Sequence, residues 1–302
     1  MSSPGHSQRG FTLIEMIMVI VITGILSGMV AVFIKGPVES YFDMARRAEL
    51  TDVADTAVRR IARDIRSSVP NTLRTPPGSD QCIEFMPAKT GARYRADQTA
   101  AHTGDILDFA SVDDTFDMLG TNGLPVPPSS QIAPGDIVVV YNDGSTSGNA
   151  YAGTNAIQID AGGVTVGDTD PVNTTKLSFV APGATIFARK LFPSTSPANR
   201  FLVLPSNEQV VSFDCSSGTL YRYSRDITAR TTTWSTPATC AAMTAGATRA
   251  TLANNVTCSL KYEAPGSGTG SGRFGLVSIS LGMTQSGETV SLYHQVHVDG
   301  TP

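Results

Sequence analysis

Apolar and polar positions divide the chain into an apolar segment, an amphipathic segment and a long remainder with strand-like alternation. Residues 11–34 are almost entirely apolar, and Glu15 is the one charged residue among them. At about 1.5 Å per residue this segment extends roughly 36 Å as a helix, enough to cross a hydrocarbon layer of about 30 Å. We therefore predict a transmembrane helix over residues 11–35.

Residues 36–69 have the spacing of an amphipathic helix that continues the apolar one. From Val38 to Ile65, apolar side chains recur every three or four positions on one face. Pro37 offers no N–H to the carbonyl of Phe33, so a kink or local melting is expected there. Aspartates alternate with the arginines of the opposite face, which favours a solvated surface over a nucleic-acid or lipid-binding patch.

After residue 80 the periodicity changes to the alternation typical of β-strands, with clusters of turn residues between the apolar runs. The predicted strands are Cys82–Met86, Ile106–Phe109, Ile137–Tyr141, Ala156–Asp160, Lys176–Val180, Arg200–Leu204, Gln209–Asp214, Leu220–Ser224, Val256–Tyr262, Leu276–Met283 and Thr289–Val298. The last two, joined by a turn at residues 285–287, predict an antiparallel hairpin with one buried face. The sequence thus predicts an α+β protein, with a long N-terminal helix packed on a β-rich, mainly antiparallel head over residues 70–302.

A short polar leader, residues 1–10, precedes the apolar segment and contains Arg9. The one plausible cleavage junction, Gly10–Phe11, lies before the apolar segment, whereas an ordinary secretory signal is cut after it. Cleavage here would leave the hydrophobic helix on the mature protein. The basic leader predicts a cytoplasmic N-terminus and an exported C-terminal body.

Glu15 is the first candidate functional residue, because a carboxylate within a membrane helix is costly. The structural alternative is a snorkelling or protonated glutamate, which the helix dipole favours near an N-terminus. If the Gly10–Phe11 bond is cut, Phe11 gains an α-amine that could pair with Glu15 of a neighbouring copy. Gly24 and Gly28 form a small-xxx-small face, which predicts close packing against another helix.

The stretch Gly10–Glu15, GFTLIE, resembles the class III signal of type IV pilins and type II secretion pseudopilins. This resemblance implies that a prepilin peptidase cuts after Gly10 and N-methylates Phe11, and that Glu15 guides subunit docking. It implies further partners: other major and minor pilins, the inner-membrane assembly platform, and membrane lipid before assembly. The implied location is the inner membrane, in a single pass with a periplasmic head, and then the pilus filament. Because heads of this size would crowd one another if repeated at every step of a filament, we expect a position near the tip.

Three later segments, residues 59–74, 82–95 and 290–302, resemble the O-type minor pilins of mannose-sensitive haemagglutinin (MSHA) pili. That family is related to the J-type minor pseudopilins of type II secretion. The resemblance implies a filament subunit of low abundance that builds or primes the pilus. Two other interpretations stay open: a secretion pseudopilin, and a membrane-anchored periplasmic binding module that never assembles.

The net charge and the cysteine count indicate which partners and which redox compartment to expect. A net charge of −4 over 302 residues gives no support for a nucleic-acid partner. An even number of cysteines, four, in an oxidising compartment favours two disulfides, and the sequence alone permits three pairings. We favour Cys215–Cys240, which would close the Thr-rich segment between two strands, and this leaves Cys82–Cys258.

Motifs for catalysis are weak throughout. The centre of GSTSG, residues 144–148, is threonine, and GSGTGSG, residues 266–272, lacks the lysine of a phosphate-binding loop. His294 and His297 are three apart on a strand and so point to opposite faces. The acidic residues 160, 168 and 170 match no calcium loop. We therefore predict no enzyme activity, no metal site and no cofactor.

Overall fold

The computed structural model describes residues 10–123, 125–169, 172–265 and 274–300. Its α+β architecture is the predicted one, a long N-terminal helix followed by a β-rich antiparallel domain. The elements are α1 (Leu13–Arg66), β1 (Cys82–Phe85), β2 (Thr90–Tyr94), β3 (Thr115–Leu119), β4 (Ile137–Val139), β5 (Ala156–Thr169), β6 (Val172–Phe179), β7 (Arg200–Leu204), β8 (Val210–Asp214), β9 (Thr219–Arg225), α2 (Cys240–Thr244), β10 (Thr248–Asn254), β11 (Val256–Glu263), β12 (Phe274–Gln285) and β13 (Glu288–Asp299). The chain forms two compact units that divide between Thr51 and Asp52.

The first unit contains the apolar part of α1. Its large apolar side chains, from Leu13 to Ile34, are exposed, and the segment is long and apolar enough to cross a membrane. It is therefore compatible with a membrane anchor. The local melting expected at Pro37 is wrong, since α1 is helical without a break from Leu13 to Arg66. A proline removes one backbone hydrogen bond, and the turns on either side keep their own.

In the second unit, the last turns of α1 bury one face. Its buried residues are Ala54, Ala57, Val58, Ile61, Ala62 and Ile65. Their spacing of three and four is the predicted amphipathic pattern, and it keeps the arginines of the opposite face exposed. On the margin of this face, Asp64 accepts a hydrogen bond from Nε of Arg222 on β9 at 2.9 Å. This contact joins the helix to the β-rich part of the unit.

Every strand pairing in the described head is antiparallel. One sheet has four strands in the order β1-β8-β9-β10, and a second has three in the order β11-β12-β13. The strands β2-β3-β6-β5-β4-β7 close into a barrel. The barrel core is rich in aromatic rings, with Phe116 at 5.4 Å from Phe201 and 5.6 Å from Phe179 between ring centroids. Closure of the barrel leaves no open edge in that sheet.

The predicted strands largely coincide with the observed ones, and the hairpin of β12 and β13 is confirmed. Gln285 pairs with Glu288, and the two residues between them, Ser286 and Gly287, have φ values of 50° and 84°. Positive φ at both central residues is the geometry of a two-residue type I′ hairpin turn. The predicted alternation also holds, because every second side chain of β12 from Val277 to Met283 is buried.

The strand predicted at Ile106–Phe109 is wrong, and three strands were not predicted. Residues 106–109 are irregular; Leu107 points into the barrel core, and its N–H donates to the carbonyl of Arg95 at 2.9 Å. An apolar residue can thus fill a core from a loop. The unpredicted strands β2, β3 and β10 carry few or broken apolar alternations. Their pairing with neighbouring strands, and not their own pattern, defines them.

The predicted cysteine pairing is wrong: instead of Cys215–Cys240 and Cys82–Cys258, the disulfides join Cys82 to Cys240 and Cys215 to Cys258. Their Cα atoms are 5.7 Å and 6.1 Å apart. The hairpin of β8 and β9 explains the difference, because it carries the chain away from Cys215. Helix α2 then begins at Cys240, which contacts Cys82 within one small apolar cluster. Strand β11 reaches Cys215 because the N–H of Val256 donates to the carbonyl of Gly218 at 2.8 Å.

Candidate functional site

The first turn of α1 is closed by hydrogen bonds between Thr12 and Glu15. The backbone N–H and the hydroxyl of Thr12 donate to Oε2 of Glu15 at 2.9 Å and 3.0 Å. In return, the N–H of Glu15 donates to Oγ1 of Thr12 at 3.3 Å. This reciprocal arrangement is a capping box, with threonine at the N-cap and glutamate at the third helical position. In the single chain, the carboxylate therefore has partners within its own helix.

The predicted processing residues lie immediately before this capping box. Gly10 is exposed, and 85 % of Phe11 is exposed. A peptidase would therefore meet no steric obstacle from the described residues around this bond. Leader residues 1–9 lie outside the described residues. Cleavage after Gly10 and methylation of Phe11 remain predictions, as does the assembly role of Glu15.

Gly24 and Gly28 lie one turn apart on the same side of α1. Apart from the adjacent residues and the backbone of the neighbouring turns of α1, a Cβ atom added at either position would meet no atom of the described chain within 4 Å. Nearby, the hydroxyl of Thr23 donates to the carbonyl of Val19 at 2.6 Å, so this polar group is satisfied within the helix. The face is open to a second helix, and packing of such a helix there stays a prediction.

The head offers no metal site among its described residues. No group of three or more His, Cys, Asp or Glu side chains in that part of the chain is arranged to hold an ion. His294 is half-buried and His297 is exposed, on the opposite faces that strand geometry predicts. The acidic residue 170 and the glycine-rich segment 266–272 lie outside the described residues.

A buried ion pair, which the sequence analysis missed, joins β1 to the segment before it. Glu84 is fully buried, and its Oε1 accepts hydrogen bonds from Arg74 at 2.6 Å and 2.8 Å and from Nε1 of Trp234 at 3.1 Å. Burial raises the pKa of Glu84, and the guanidinium of Arg74 opposes that shift. The signal in the sequence was a glutamate inside the apolar strand CIEF, which requires a buried cation as partner.

The surroundings of this ion pair make it structural. The guanidinium of Arg74 lies 3.5 Å from the ring centroid of Tyr151, and the hydroxyl of Tyr151 donates to the carbonyl of Thr72 at 2.9 Å. Burial raises the pKa of Tyr151 above its ordinary value. Arg225 and Arg230 each lie 4.7 Å from the ring centroid of Trp234. Because the carboxylate is enclosed, it anchors the irregular segment around Trp234 and is not accessible to a substrate.

A polar cleft of about 370 Å³ in the described head has its charges already paired. Within it, Nη1 of Arg222 donates to Oε2 of Glu208 at 3.1 Å, besides its bond to Asp64. The ammonium of Lys89 lies 2.8 Å from Oδ2 of Asp136. Each charged group on its wall thus has a partner of opposite sign. The cleft presents no unpaired acid or base for catalysis.

Comparison with known proteins gives one match. The family described as the prokaryotic N-terminal methylation motif matches residues 5–31. These residues are a type IV pilin-like signal. No curated protein and no solved structure matches the chain. The motif describes a structural family, and it implies partners in the pilin-processing pathway in general. The match spans the N-terminal segment and does not reach the head.

Replacing Arg74 with Met should destabilise the head, because it leaves the buried carboxylate of Glu84 without its cation. Breaking a buried pair in this way costs about 3–5 kcal/mol of unfolding free energy. The loss should shrink at mildly acidic pH: a carboxyl with a raised pKa takes up a proton in the folded state, which removes the unpaired charge. Urea unfolding followed by the fluorescence of Trp234, the only tryptophan in the chain, measures both effects.

The control is Arg63→Met, on the exposed face of α1, which should change the unfolding free energy by less than about 0.5 kcal/mol. A second variant, Arg74→Met with Glu84→Gln, should recover part of the stability because no charge is left buried. Equal losses for the Arg74 and Arg63 variants would refute a stabilising role for the ion pair.

Proposed function

We propose that this protein is a minor pilin of a type IV pilus of the MSHA kind, assembled through its N-terminal helix. The observation that carries the proposal is the methylation motif at residues 5–31, which contains one carboxylate, Glu15, in an otherwise apolar helix. We infer that residues 1–10 are the leader, residues 11–35 the membrane-spanning part and residues 36–69 its amphipathic continuation. Residues 70–302 then form the periplasmic head.

The chemistry of assembly follows from the capping box. In the unassembled subunit, Thr12 satisfies the carboxylate of Glu15 with neutral donors. Cleavage by a prepilin peptidase would create a cationic amine at Phe11. An ion pair between that amine in one subunit and Glu15 in the next adds the attraction of two opposite charges in an apolar surrounding, which the uncharged donors of Thr12 do not supply. The helix would therefore pass from lipid to other pilins on the assembly platform with its charge compensated.

The size of the head favours a position at or near the tip. A filament stacks its helices at short intervals, so identical large heads at every step would compete for space around the axis. A subunit at the end has no head above it. In the topmost subunit, a carboxylate at this position would have no Phe11 amine above it to pair with. Because this chain has Glu15, we place it just beneath another minor pilin. The complex formed in this way would prime the filament.

Two other functions share part of this support. A J-type minor pseudopilin of type II secretion would use the same N-terminal chemistry with a different cargo, and the neighbouring genes would distinguish it. A membrane-anchored binding module would need neither the cut at Gly10–Phe11 nor Glu15. The charged groups of the described polar cleft are all paired, and this gives a binding module less support than the motif gives assembly.

The mature protein should begin at N-methylated Phe11. The junction precedes the apolar helix, so cleavage there removes the leader and keeps the anchor. N-terminal sequencing and intact mass measurement of the protein from native membranes would detect both the cut and the methyl group. An intact leader, or a cut beyond Ile34, would contradict the proposed pathway.

Glu15→Ala should leave export and folding of the head intact and impair incorporation into filaments. Removal of a charge eases membrane insertion, so any loss must arise at assembly. Quantitative immunoblots of sheared filaments against membranes measure the incorporated fraction. Glu15→Gln tests whether the charge or the hydrogen bond is needed. Thr12→Ala is the matched control, since it removes the two hydrogen bonds of the Thr12 hydroxyl from the same capping box and keeps the carboxylate. If both alanine variants fail alike, Glu15 acts only as a helix cap.

Antibodies against the head should label filament ends and not the shaft. The large head makes repetition along the shaft sterically unfavourable, so purified filaments should contain this protein far below the amount of the main subunit. Immunogold electron microscopy and quantitative mass spectrometry measure position and stoichiometry. Decoration along the whole shaft would rule out the tip position and leave the assembly role itself to the Glu15 experiment.

A further inference from the structure

Strand β13 forms an edge of the three-stranded sheet and lacks the usual protection of an edge strand. It pairs with β12 in unbroken register from Gln285↔Glu288 to Phe274↔Asp299. It contains no Pro, Lys or Arg. Natural edge strands avoid association through bulges, shortness, lysines or prolines. Strand β10, at the edge of the four-stranded sheet, is shorter, has a register shift between Thr251 and Ala253, and carries Arg249.

The direction of the backbone groups along β13 follows from its ladder. The N–H of Thr284 donates to the carbonyl of Asn255, away from β13. Because backbone groups alternate sides along an antiparallel strand, those of Gln285 point toward β13, and those of every odd-numbered residue of β13 point outward. Residues 289, 291, 293 and 295 thus present N–H and C=O groups at the edge. Among the described residues, no backbone hydrogen bond outside the sheet engages them.

The core-facing side chains show which half of the edge is less covered. Val296 and Val298, in the second half of β13, are buried. Val290 and Leu292, in the first half, are only half-buried on the same face. Just beyond the strand, the carbonyl of Gly300 accepts a hydrogen bond from Nδ2 of Asn71 at 3.0 Å. The second half is therefore covered, and the first half has apolar surface beside unpaired backbone.

We propose that this edge binds the same edge of a second copy of the protein, with the two β13 strands antiparallel and centred on Ser291. A two-fold axis perpendicular to the sheet relates such strands and keeps the core-facing sides together. This register places Val290 opposite Leu292 of the second copy, so the two half-buried apolar residues cover each other. It also places Glu288 opposite His294 of the second copy, an acceptor against a side chain that can donate a hydrogen bond.

The register has a second consequence at the exposed face. Thr289 lies opposite Tyr293 of the second copy, so the exposed ring, 66 % accessible in the single chain, covers a neighbouring hydroxyl and methyl group. Cross-strand pairs between an aromatic and a β-branched residue stabilise antiparallel sheets. The partner strand is therefore a second β13, because its own alternation of apolar and small polar residues supplies the contacts on both faces. This pairing of two β13 strands does not require filament assembly, and it would also form between heads that never assemble.

Cysteine cross-linking of the full-length protein in membranes tests the register. All four natural cysteines are in disulfides, so an introduced cysteine supplies a single free thiol. Ser291→Cys places two thiols at the centre of the pair, where opposing Cβ atoms are about 5.5 Å apart. A short bismaleimide should convert this variant to a covalent dimer, because it spans this separation, whereas a direct disulfide needs Cβ atoms about 3.5–4.5 Å apart.

Two matched variants control for chance collision and for association through α1. Gln295→Cys lies on the same edge and face, but in this register the two copies of residue 295 are about 26 Å apart. Ala250→Cys is exposed on the protected strand β10. Neither should form a dimer. Absence of a dimer with Ser291→Cys, a dimer with Gln295→Cys instead, or a cross-link from residue 291 to a different protein would each overturn the proposal.

Discussion

An apolar segment of more than twenty residues cannot remain in water, and the rest of this protein is arranged under that constraint. The same helix α1 that carries the segment also supplies the buried face from Ala54 to Ile65 in the head. The anchor and part of the hydrophobic core are therefore one covalent element. A leader cut before the apolar residues is the one kind of processing that keeps this element whole.

Elements with a strong local pattern could be predicted from the sequence, and those defined by distant partners could not. The helical spacing and the β12–β13 hairpin are properties of contiguous residues. The barrel depends on β2 and β3, whose short alternations become strands only beside β7 and β6. Leu107 shows the reverse error, since an apolar run there fills a core without forming a strand.

The candidate site divides in the same way. Gly10, Phe11 and Glu15 lie within six consecutive residues, so their chemistry can be recognised from the sequence. The partners of Glu84 are 10 and 150 positions away in the chain, and no local pattern connects them. The capping role of Thr12 was open to prediction, because threonine three positions before glutamate at a helix start is the capping-box signature. In the single chain Glu15 accepts hydrogen bonds from Thr12, whereas in the proposed assembly it pairs with the Phe11 amine of another subunit.

In the proposed export of the head, the crossed connectivity of the two disulfides constrains the order of events. Cys82 and Cys215 are the first two cysteines to emerge, and Cys82 lies opposite Asp214 in the β1–β8 ladder, next to Cys215. An oxidase that joined cysteines in order of appearance would make that pair and leave Cys240 with Cys258. Both products would be non-native. Native pairing therefore requires either that oxidation of Cys82 waits until Cys240 has crossed the membrane, or that an isomerase exchanges the early bond.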